Sequence, residues 1–309
     1  MSIIIIFNNK DPKPWAQWLQ EKLPNTPISI YPEVKSPETV TFAVCWKADK
    51  NVLQNFPNLA VIQSVGASID HITRNQTLHE NQIITRIVDE NLSNDMWEFV
   101  LAAVMSNLKN LPLYDEQKKQ KNWQQTGYGL IKKTTISILG LGQIGALVAE
   151  KFAALGFVVK GWSTSPKNIP IVTCYAGENE LTPFLNDTDF LINILPLTAA
   201  TESFMNKNIL KQIKKGGFLI NVGRGEHLVE QDLVELLEEE HLSGALLDVF
   251  RIEPLPQDHV FWTHPKIQIT PHVASLTNVD AATTLIAENY KNHVSGKALQ
   301  YVVSLEKGY

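Results

Sequence analysis

Three polar residues in the second half of the chain could together perform acid–base chemistry on a bound anion. Arg224, Glu253 and His272 each follow a short apolar segment of the kind that forms a buried strand. An arginine guanidinium binds a carboxylate through two parallel hydrogen bonds, and a histidine can donate or accept a proton near neutral pH. A carboxylate such as Glu253 would stabilise the protonated ring of His272. Each residue alone also has a simpler explanation, as a turn arginine, a surface acid or a loop histidine, so the prediction rests on their combination.

A glycine-rich segment upstream of these residues predicts a binding site for a dinucleotide. Gly140, Gly142 and Gly145 form a G-x-G-x-x-G motif between a predicted strand, Thr134–Leu139, and a predicted amphipathic helix, Ala146–Leu155. In such a motif the first glycine makes the tight turn, the second lets the backbone approach a pyrophosphate, and the third lets the helix pack closely on the strand. The positive end of the helix would hold the phosphates. A tight strand-to-helix turn without a ligand is the simpler alternative for the motif alone.

The end of the following strand indicates which dinucleotide would bind. An NAD site usually has a carboxylate there, which accepts hydrogen bonds from the adenosine ribose hydroxyls. This chain has Ser163, Thr164 and Ser165 instead, beginning eighteen residues after Gly145 (163 − 145), with Lys167 close behind. Hydroxyls and an ammonium can bind a 2′-phosphate, which a carboxylate would repel. The sequence therefore favours NADPH, with NADH as an alternative, while a simple Ser/Thr/Pro turn with an exposed lysine has the same composition.

The dinucleotide site and the three polar residues complement each other chemically. Reducing a 2-oxo acid requires a hydride donor, a cation that holds the carboxylate, and a proton donor for the carbonyl oxygen. A reduced nicotinamide would provide the hydride, Arg224 the cation and His272 the proton. We therefore expect an NADPH-dependent reductase of small 2-oxo acids.

Short apolar segments that alternate with helix-compatible segments predict an α/β protein with two doubly wound parallel sheets and a cleft between the two domains. Residues 1–98 and 283–309 are expected to form a flavodoxin-like substrate-binding domain, and residues 99–282 a Rossmann domain that binds the dinucleotide. The predicted strands of the first domain are Ile3–Phe7, Ile28–Tyr31, Thr41–Trp46, Val61–Val65 and Ile83–Ile87. Those that follow the glycine motif are Phe157–Gly161, Phe190–Leu195, Phe218–Val222, Ala245–Phe250 and Ile267–Thr270.

Two loops of the first domain are candidates for ligand binding because they follow predicted parallel strands. One contains Trp46, and the other contains Gly66 and Ala67. A packed tryptophan and a glycine turn are the structural alternatives for these two loops.

A long helix is expected between the two domains. Ser93 or Asn94 can cap it, and a stripe of apolar side chains recurs along it at helical spacing. This stripe predicts either core packing or a subunit contact. The stripe consists of Trp97, Leu101, Val104, Met105 and Leu108. A capping signal at Thr277–Asp280 predicts the start of a final helix that ends near Gly296.

The composition excludes several classes of protein. A net charge of −5 over 309 residues argues against a surface that binds nucleic acid or an anionic membrane. The apolar start of the chain is too short for a signal peptide, and no apolar segment is long enough to cross a membrane. Cys45 and Cys174 are too few for a disulfide framework and lack metal-ligand spacing, so we expect two core thiols, no metal and a cytoplasmic protein.

Taken together, five motifs resemble those of the D-isomer-specific 2-hydroxyacid dehydrogenases, in the order and at the spacing of that family. The resemblance extends from about Trp46 to the last helix. The motifs are Leu139–Gly145, Leu195-Pro196-Leu197-Thr198, Asn221–Gly225, Leu247–Phe250 with Glu253–Leu255, and Thr270-Pro271-His272.

The resemblance implies a role for each matching residue. Arg224 would bind the substrate carboxylate and carbonyl, and His272, paired with Glu253, would act as acid in reduction and base in oxidation. The backbone of Gly66 and Ala67 would bind the substrate carboxylate across the cleft, with Trp46 shaping the pocket. Asp248 would contact the nicotinamide amide, and Leu195 and Pro196 would line the cofactor. The predicted cofactor-binding residues are Gly140, Gly142, Gln143, Ile144, Gly145, Ser163, Thr164, Ser165, Lys167, Leu195, Pro196, Val222 and Asp248.

Within the family the chain is most similar to the glyoxylate/hydroxypyruvate reductases of the A type. The carboxylate-free Trp162-Ser163 pair and the segment Leu195–Ser203 carry this closer likeness. Such reductases commonly have an arginine where this chain has Thr164, which implies looser discrimination between NADPH and NADH. The family is typically dimeric through the helix that bridges the domains, so a homodimer is expected.

Three alternatives remain from the sequence. Relatives on the same scaffold oxidise phosphite or formate; Glu253 argues against the formate branch, which lacks it, whereas the motifs permit phosphite. A dinucleotide-sensing corepressor-like binding module is a second alternative. A methyltransferase fits less well because it has no use for the set of Arg224, Glu253 and His272.

Overall fold

The computed structural model of the protein describes residues 1–304 and divides the chain into two compact units. The first unit comprises Met1–Leu92 and the chain from Thr277 onward, and the second comprises Ser93–Leu276. The chain passes from one unit to the other after residues 92 and 276, in each case six residues before the expected domain boundary (98 − 92 and 282 − 276). The chain returns to the first unit earlier than expected because the Thr277 hydroxyl, before the final helix begins, donates a hydrogen bond to Val65 O at 3.1 Å. Residues 305–309 of the predicted substrate-binding domain lie outside the described residues.

The described chain contains twelve strands and nine α-helices. The strands are β1 (Ser2–Phe7), β2 (Ile28–Ile30), β3 (Val40–Trp46), β4 (Val61–Ser64), β5 (Ile83–Thr85), β6 (Thr135–Leu139), β7 (Val158–Ser163), β8 (Thr173–Ala176), β9 (Phe190–Asn193), β10 (Gly217–Asn221), β11 (Leu242–Leu247) and β12 (Ile267–Ile269). The helices are α1 (Lys13–Lys22), α2 (Asp70–Thr73), α3 (Glu90–Leu108), α4 (Leu111–Lys119), α5 (Gln143–Ala154), α6 (Leu181–Leu185), α7 (Lys207–Leu210), α8 (Glu230–Glu238) and α9 (Val279–Val294).

The first unit is built on a parallel five-stranded sheet in the order β2-β1-β3-β4-β5. Alternate residues of β1 point to opposite faces, so Ile3 packs on one apolar cluster with Trp15 of α1, and Ile4 packs on another with Cys45. Burial raises the pKa of the Cys45 thiol to about 12. The strand order reverses between β1 and β3, which creates the position where ligands of such sheets bind.

The second unit is built on a parallel seven-stranded sheet in the order β12-β11-β10-β9-β6-β7-β8. Its order reverses between β6 and β9, as in dinucleotide-binding folds. The expected doubly wound α/β architecture is thus confirmed in both units. Strand β8 was not predicted, because Thr173–Ala176 is a short, half-exposed edge strand without an apolar core face.

The long helix α3 differs from its prediction at its start. It begins at Glu90, because Asp89 Oδ1 accepts a hydrogen bond from Asn91 N–H at 3.0 Å, so Ser93 and Asn94 lie inside the helix and do not cap it. The apolar stripe from Trp97 to Leu108 packs into the core of the second unit.

Whereas the apolar stripe of α3 is buried, several apolar side chains in the segment after α3 are exposed. Trp123 is 97% exposed, and four further large apolar side chains in the same part of the sequence are exposed, namely Leu111, Leu113, Tyr128 and Leu130. At the other end of the chain, Asn278 caps α9 by accepting a hydrogen bond from Ala281 N–H at 3.1 Å. No helix among residues 1–304 has the length and apolar character required to cross a membrane.

Candidate active site

A histidine–carboxylate pair lies where β11 and β12 end. His272 Nδ1 is 2.9 Å from Glu253 Oε2 and 3.1 Å from Oε1, and both side chains are partly buried. A carboxylate accepts hydrogen bonds, so Nδ1 carries a proton in this contact. Nε2 of His272 has no hydrogen-bond partner in the described part of the chain. The pair therefore fixes the ring and leaves one nitrogen available for proton exchange.

Asp248 holds the loop that presents this histidine. Asp248 is 1% exposed, and its carboxylate accepts hydrogen bonds from the Thr270 hydroxyl at 2.6 Å and from Val273 N–H and Ala274 N–H, each at 2.9 Å. His272 N–H donates to Asp248 O at 2.9 Å, and the residue has a positive φ of 55°. Because non-glycine residues rarely adopt this conformation, the Asp248 contacts must hold His272 in it.

Close backbone packing joins the Arg224 loop to the loop that contains Glu253. A Cβ on Gly225 would lie 1.9 Å from the carbonyl carbon of Phe250, so only glycine fits next to Arg224. Phe250 N–H in turn donates to Glu253 Oε1 at 3.2 Å. The structure thus brings together, at one edge of the sheet, the loops of the three residues predicted to be catalytic.

A fully buried histidine beneath Arg224 was not found by sequence reasoning. His227 Nδ1 lies 3.2 Å from Arg224 N and 2.8 Å from Asn193 Nδ2, and His227 Nε2 lies 3.3 Å from Pro196 O. Leu195 N–H donates to Asn193 Oδ1 at 3.2 Å, which turns the Asn193 amide nitrogen toward the ring. Nδ1 must therefore accept, and the His227 proton lies on Nε2, which donates to Pro196 O.

A second asparagine completes this network. Asn221 Oδ1 accepts from Asn193 Nδ2 at 2.9 Å and from Gly223 N–H at 3.2 Å, and its Nδ2 donates to Arg224 O at 3.0 Å. Both asparagines are 0% exposed. The only sequence signal for this network was a polar residue at the end of each buried strand, β9 and β10.

The glycine motif has the geometry that a pyrophosphate requires. Gly140 has a φ of +103°, and a Cβ on Gly145 would lie 1.8 Å from Gly140 O, so both positions require glycine. Gly142 is exposed, and a Cβ there would meet no atom within 4 Å. It precedes α5 without a side-chain cap hydrogen bond, so no capping side chain occupies the first-turn N–H groups, which in such a position can bind an anion.

The other predicted cofactor residues surround this edge of the sheet in different environments. Ser163, at the end of β7, is buried and donates its hydroxyl hydrogen to Ser165 O at 2.7 Å, whereas Thr164, Ser165 and Lys167 are exposed. The exposed or half-buried motif residues Gln143 and Ile144 open α5, and Leu195, Pro196 and Val222 lie in the loops after β9 and β10.

The first unit places the predicted substrate-binding loops side by side. A Cβ on Gly66 would lie 3.0 Å from Cζ3 of Trp46, so the indole packs directly on the glycine backbone. Gly66 N–H donates to Ser64 Oγ at 3.2 Å, whereas Ala67 N–H has no partner among the described residues. The peptide that contains Ala67 N–H is oriented by Ile87 N–H, which donates to Gly66 O at 3.0 Å. Arg86 Nη1 donates to Ala67 O, in the following peptide, at 3.0 Å.

A second buried histidine, also missed in the sequence, connects these loops. His71 Nδ1 accepts from Lys47 N–H at 3.2 Å, and Nε2 lies 3.0 Å from Ser64 Oγ. The Ser64 hydroxyl in turn donates to Ser68 O at 2.7 Å. Lys47 has a positive φ of 46°, so this contact stabilises an unusual backbone conformation directly after Trp46.

Comparison with known proteins identifies a family. Residues 101–274 match the model of the D-isomer specific 2-hydroxyacid dehydrogenase, NAD binding domain. The chain is 33% identical to glyoxylate/hydroxypyruvate reductase A of Yersinia enterocolitica and 34% identical to that of Photorhabdus laumondii, in each case over 100% of both chains.

Solved structures give the same assignment. A D-isomer specific 2-hydroxyacid dehydrogenase from Xanthobacter autotrophicus Py2, in complex with NADPH and MES, has a TM-score of 0.94 and 30% identity over 100% of this chain and 99% of that one. An NADPH-dependent glyoxylate/hydroxypyruvate reductase from Sinorhizobium meliloti, in complex with NADP and sulfate, has a TM-score of 0.92 and 31% identity over 100% of both chains. The chain therefore belongs to the D-isomer specific 2-hydroxyacid dehydrogenase family of NAD(P)-dependent oxidoreductases, and over its full length it is similar to glyoxylate/hydroxypyruvate reductases of the A type.

Proposed function

We propose that this enzyme uses NADPH to reduce glyoxylate to glycolate and hydroxypyruvate to D-glycerate, with His272 as the general acid. The observation that carries this proposal is the fixed His272–Glu253 pair, in which Nε2 has no partner among the described residues. Glu253 orients the ring and stabilises the positive charge of imidazolium, so His272 can protonate the carbonyl oxygen through Nε2. In the reverse direction the same nitrogen accepts the proton.

Arg224 and the first unit are assigned to substrate binding. The Arg224 guanidinium binds the substrate carboxylate and carbonyl, and its backbone is held in extended conformation by the His227 contact. Ala67 N–H, which has no partner in residues 1–304, donates a hydrogen bond to the substrate carboxylate, and Trp46 borders the pocket. Under this proposal the first unit is the substrate-binding domain and the second is the cofactor-binding domain.

NADPH fits the residues at the carboxyl edge of the second sheet. The first-turn N–H groups of α5 and the backbone at Gly142 hold the pyrophosphate, while Ser163 to Ser165 and Lys167 hold the 2′-phosphate. Leu195, Pro196 and Val222 contact the nicotinamide half, and Asp248 accepts from its amide in addition to anchoring the histidine loop. The bound cofactor supplies the hydride for the substrate carbon. The relatives from Xanthobacter and Sinorhizobium, described with NADPH and NADP, support this choice of dinucleotide.

Initial rates of nicotinamide oxidation test the reaction. We expect turnover of glyoxylate and hydroxypyruvate well above that of pyruvate, and faster with NADPH than with NADH. Turnover with NADH alone would contradict the assignment of the 2′-phosphate contacts and leave the acid–base assignment intact. No rate with any 2-oxo acid would contradict the proposal, and oxidation of phosphite would then be the next activity to measure.

Substitution of the histidine tests the role of His272. We expect His272→Gln to lower kcat by about 10²- to 10⁴-fold, because general acid catalysis contributes that much and glutamine cannot supply the proton. His264→Gln, at a half-buried histidine in the same unit, is the matched control and should retain activity. Unchanged turnover of a folded His272→Gln protein would refute the assignment.

We further propose that the enzyme is a homodimer. The α3 stripe is buried within the second unit, so the contact is assigned to the exposed apolar side chains after α3, among which Trp123 is 97% exposed. Large exposed apolar patches commonly mark interfaces. Light scattering after size exclusion should give a dimer for the wild type and a shift toward monomer for Trp123→Asp. Ile171→Asp, at another highly exposed apolar residue, should not change the mass.

A further inference from the structure

A half-buried lysine lies at the carboxyl edge of the first sheet, where the proposed acid–base chemistry does not use it. Lys10 follows β1, and Trp46 ends the neighbouring strand β3, with Phe7 paired to Trp46 in the sheet register. The strand order of the first sheet reverses between these two strands. Ligands of open parallel sheets bind at this reversal point, so Lys10 occupies a favourable position for a ligand contact.

The Lys10 ammonium has two aromatic rings as neighbours. Its Nζ lies 5.1 Å from the centre of the Trp15 ring and 5.2 Å from that of Trp46. Among residues 1–304 no carboxylate forms an ion pair with Lys10, in contrast to Lys22, which is 2.6 Å from Asp280. Burial lowers the pKa of the Lys10 ammonium. Two indole faces offset only part of the cost of removing an ammonium from water, and an anion next to Lys10 would offset more of it.

Trp46 connects this ammonium to the predicted carboxylate-binding loop. Its ring packs on Gly66 at one edge and lies 5.2 Å from Lys10, and Lys47 Nζ is 5.9 Å from the same ring centre. Two cations therefore lie near one indole in a protein whose net charge is −5. A substrate with its first carboxylate at Ala67 N–H would extend along this indole toward Lys10.

We propose that Lys10 and Trp46 form a binding site for a second anionic group, so that the enzyme also reduces 2-oxo acids with a carboxylate or phosphate at the far end. This inference rests on the proposed function, because the reaction is the same two-electron reduction of a carbonyl to a hydroxyl by NADPH. Only the contact with the far end of the substrate differs. An ammonium on a flexible stem suits either anion because it binds as a point charge.

Kinetics with paired substrates test this site in the full chain with NADPH. The doubly anionic substrates are oxaloacetate, 2-oxoglutarate and 3-phosphonooxypyruvate, and the singly anionic ones are glyoxylate and hydroxypyruvate. We expect Lys10→Met to lower kcat/KM for at least one doubly anionic substrate by about 10- to 100-fold, mainly through KM, because hydrogen bonds to charged groups contribute that much. The singly anionic substrates should change by less than about threefold. Lys10→Arg should retain most of the activity, and Lys13→Met, at an exposed lysine nearby, is the control.

The outcomes separate this inference from the proposed function. A loss confined to the phosphorylated substrate, or to the dicarboxylates, would support the site and identify the anion it binds. An equal loss for every substrate would show that Lys10 only supports Trp46 and would overturn the inference. Fast turnover of glyoxylate without any turnover of the doubly anionic substrates would overturn it and leave the proposed function intact. No turnover of any 2-oxo acid would overturn both. Thermal unfolding of Lys10→Met, which removes an unpaired charge, should show no loss of stability.

Discussion

The two units of the molecule use a buried histidine in the same way but support it differently. In the first unit His71 accepts the N–H of Lys47, and in the second His227 accepts the N–H of Arg224, in both cases through Nδ1 at 3.2 Å. Each histidine also bonds a neighbouring strand end or loop through Nε2. Each thereby joins two loops at the carboxyl edge of its own sheet.

The two histidines differ in the side chains that form hydrogen bonds around their rings. Around His227, two fully buried asparagine amides have donors and acceptors in fixed positions, so only one arrangement satisfies every group. Around His71, the support is the hydroxyl of Ser64, which can donate to Ser68 O at 2.7 Å or to Gly66 O at 3.3 Å by rotation about one bond. We infer that the proposed cofactor side is built for a fixed geometry, and the proposed substrate side for adjustment.

The same glycine-to-alanine substitution in each unit is the strongest test of this difference in rigidity. We expect Gly225→Ala to destabilise the protein by more than about 3 kcal/mol, because the new methyl group would meet Phe250 backbone at 1.9 Å. Gly66→Ala should cost about 1 kcal/mol or less, because its contact at 3.0 Å is with the movable ring of Trp46, and should mainly raise KM for glyoxylate. Urea unfolding and steady-state kinetics measure both effects. Similar losses of stability would contradict the proposed difference in rigidity.

Removal of each histidine should give the next largest effect. His227→Ala removes the acceptor of Arg224 N–H and one of the two hydrogen bonds to Pro196 O, which still accepts from the Thr201 hydroxyl at 2.7 Å. The site is fully buried, so we expect a loss of about 2–3 kcal/mol and a lower kcat/KM. His71→Ala should cost about 1–2 kcal/mol, because His71 is 8% exposed and water can replace part of its hydrogen bonding. The exposed His79→Ala is the control. A larger cost at His71 than at His227 would reverse the comparison.

The proposed cofactor side also contains an exposed segment that no buried side chains hold in place. Substitutions in this segment should have smaller effects than those at the buried histidines. Thr164, Ser165 and Lys167 are exposed, so their contact with a 2′-phosphate would be weakened by water and salt. We expect Lys167→Ala to lower the ratio of kcat/KM for NADPH to that for NADH by about 2- to 5-fold. Lys132→Ala, at another exposed lysine of this unit, should leave the ratio unchanged. An unchanged ratio in Lys167→Ala would exclude Lys167 from cofactor recognition.

A third histidine, the half-buried His293, provides the smallest test. His293 Nε2 has no hydrogen-bond partner within residues 1–304, and burial lowers the pKa of this histidine below 6.5. The unfolded chain therefore binds the proton more tightly, so stability is complete above pH 6.5 and falls as the pH decreases below it. Between pH 7.5 and 5 the free energy of unfolding of the wild type should fall more than that of His293→Phe, and the difference should be less than about 1 kcal/mol. Urea unfolding at the two pH values measures it. An identical pH dependence in the variant would contradict this.

Sequence patterns predicted the features that depend on neighbouring residues. The glycine spacing at Gly140 to Gly145, the parallel strands and the positions of Arg224, Glu253 and His272 at strand ends all follow from local periodicity and turn chemistry. The structure places the loops of these three residues at one edge of the sheet. Their catalytic roles stay predictions until the substitutions are measured.

Features that depend on distant partners could not be predicted in the same way. His71 and His227 had no motif of their own, because their importance comes from strand ends that only the folded sheet brings near. The start of α3 was misplaced because Asp89, Ser93 and Asn94 are all good caps, and only the backbone path selects Asp89. Strand β8 was missed because its stability comes from pairing with β7, and its own residues contribute little burial.

The buried thiol of Cys45 has a practical consequence for chemical labelling. With a pKa of about 12, roughly one molecule in 10⁵ would carry the thiolate at pH 7, which is the form that reacts with maleimides and oxidants. Cys174, the second of the two cysteines, is half-buried in β8 of the second unit. A thiol-reactive fluorophore should therefore label the native enzyme in the second unit alone, and give a site-specific optical reporter of cofactor binding without any engineered cysteine.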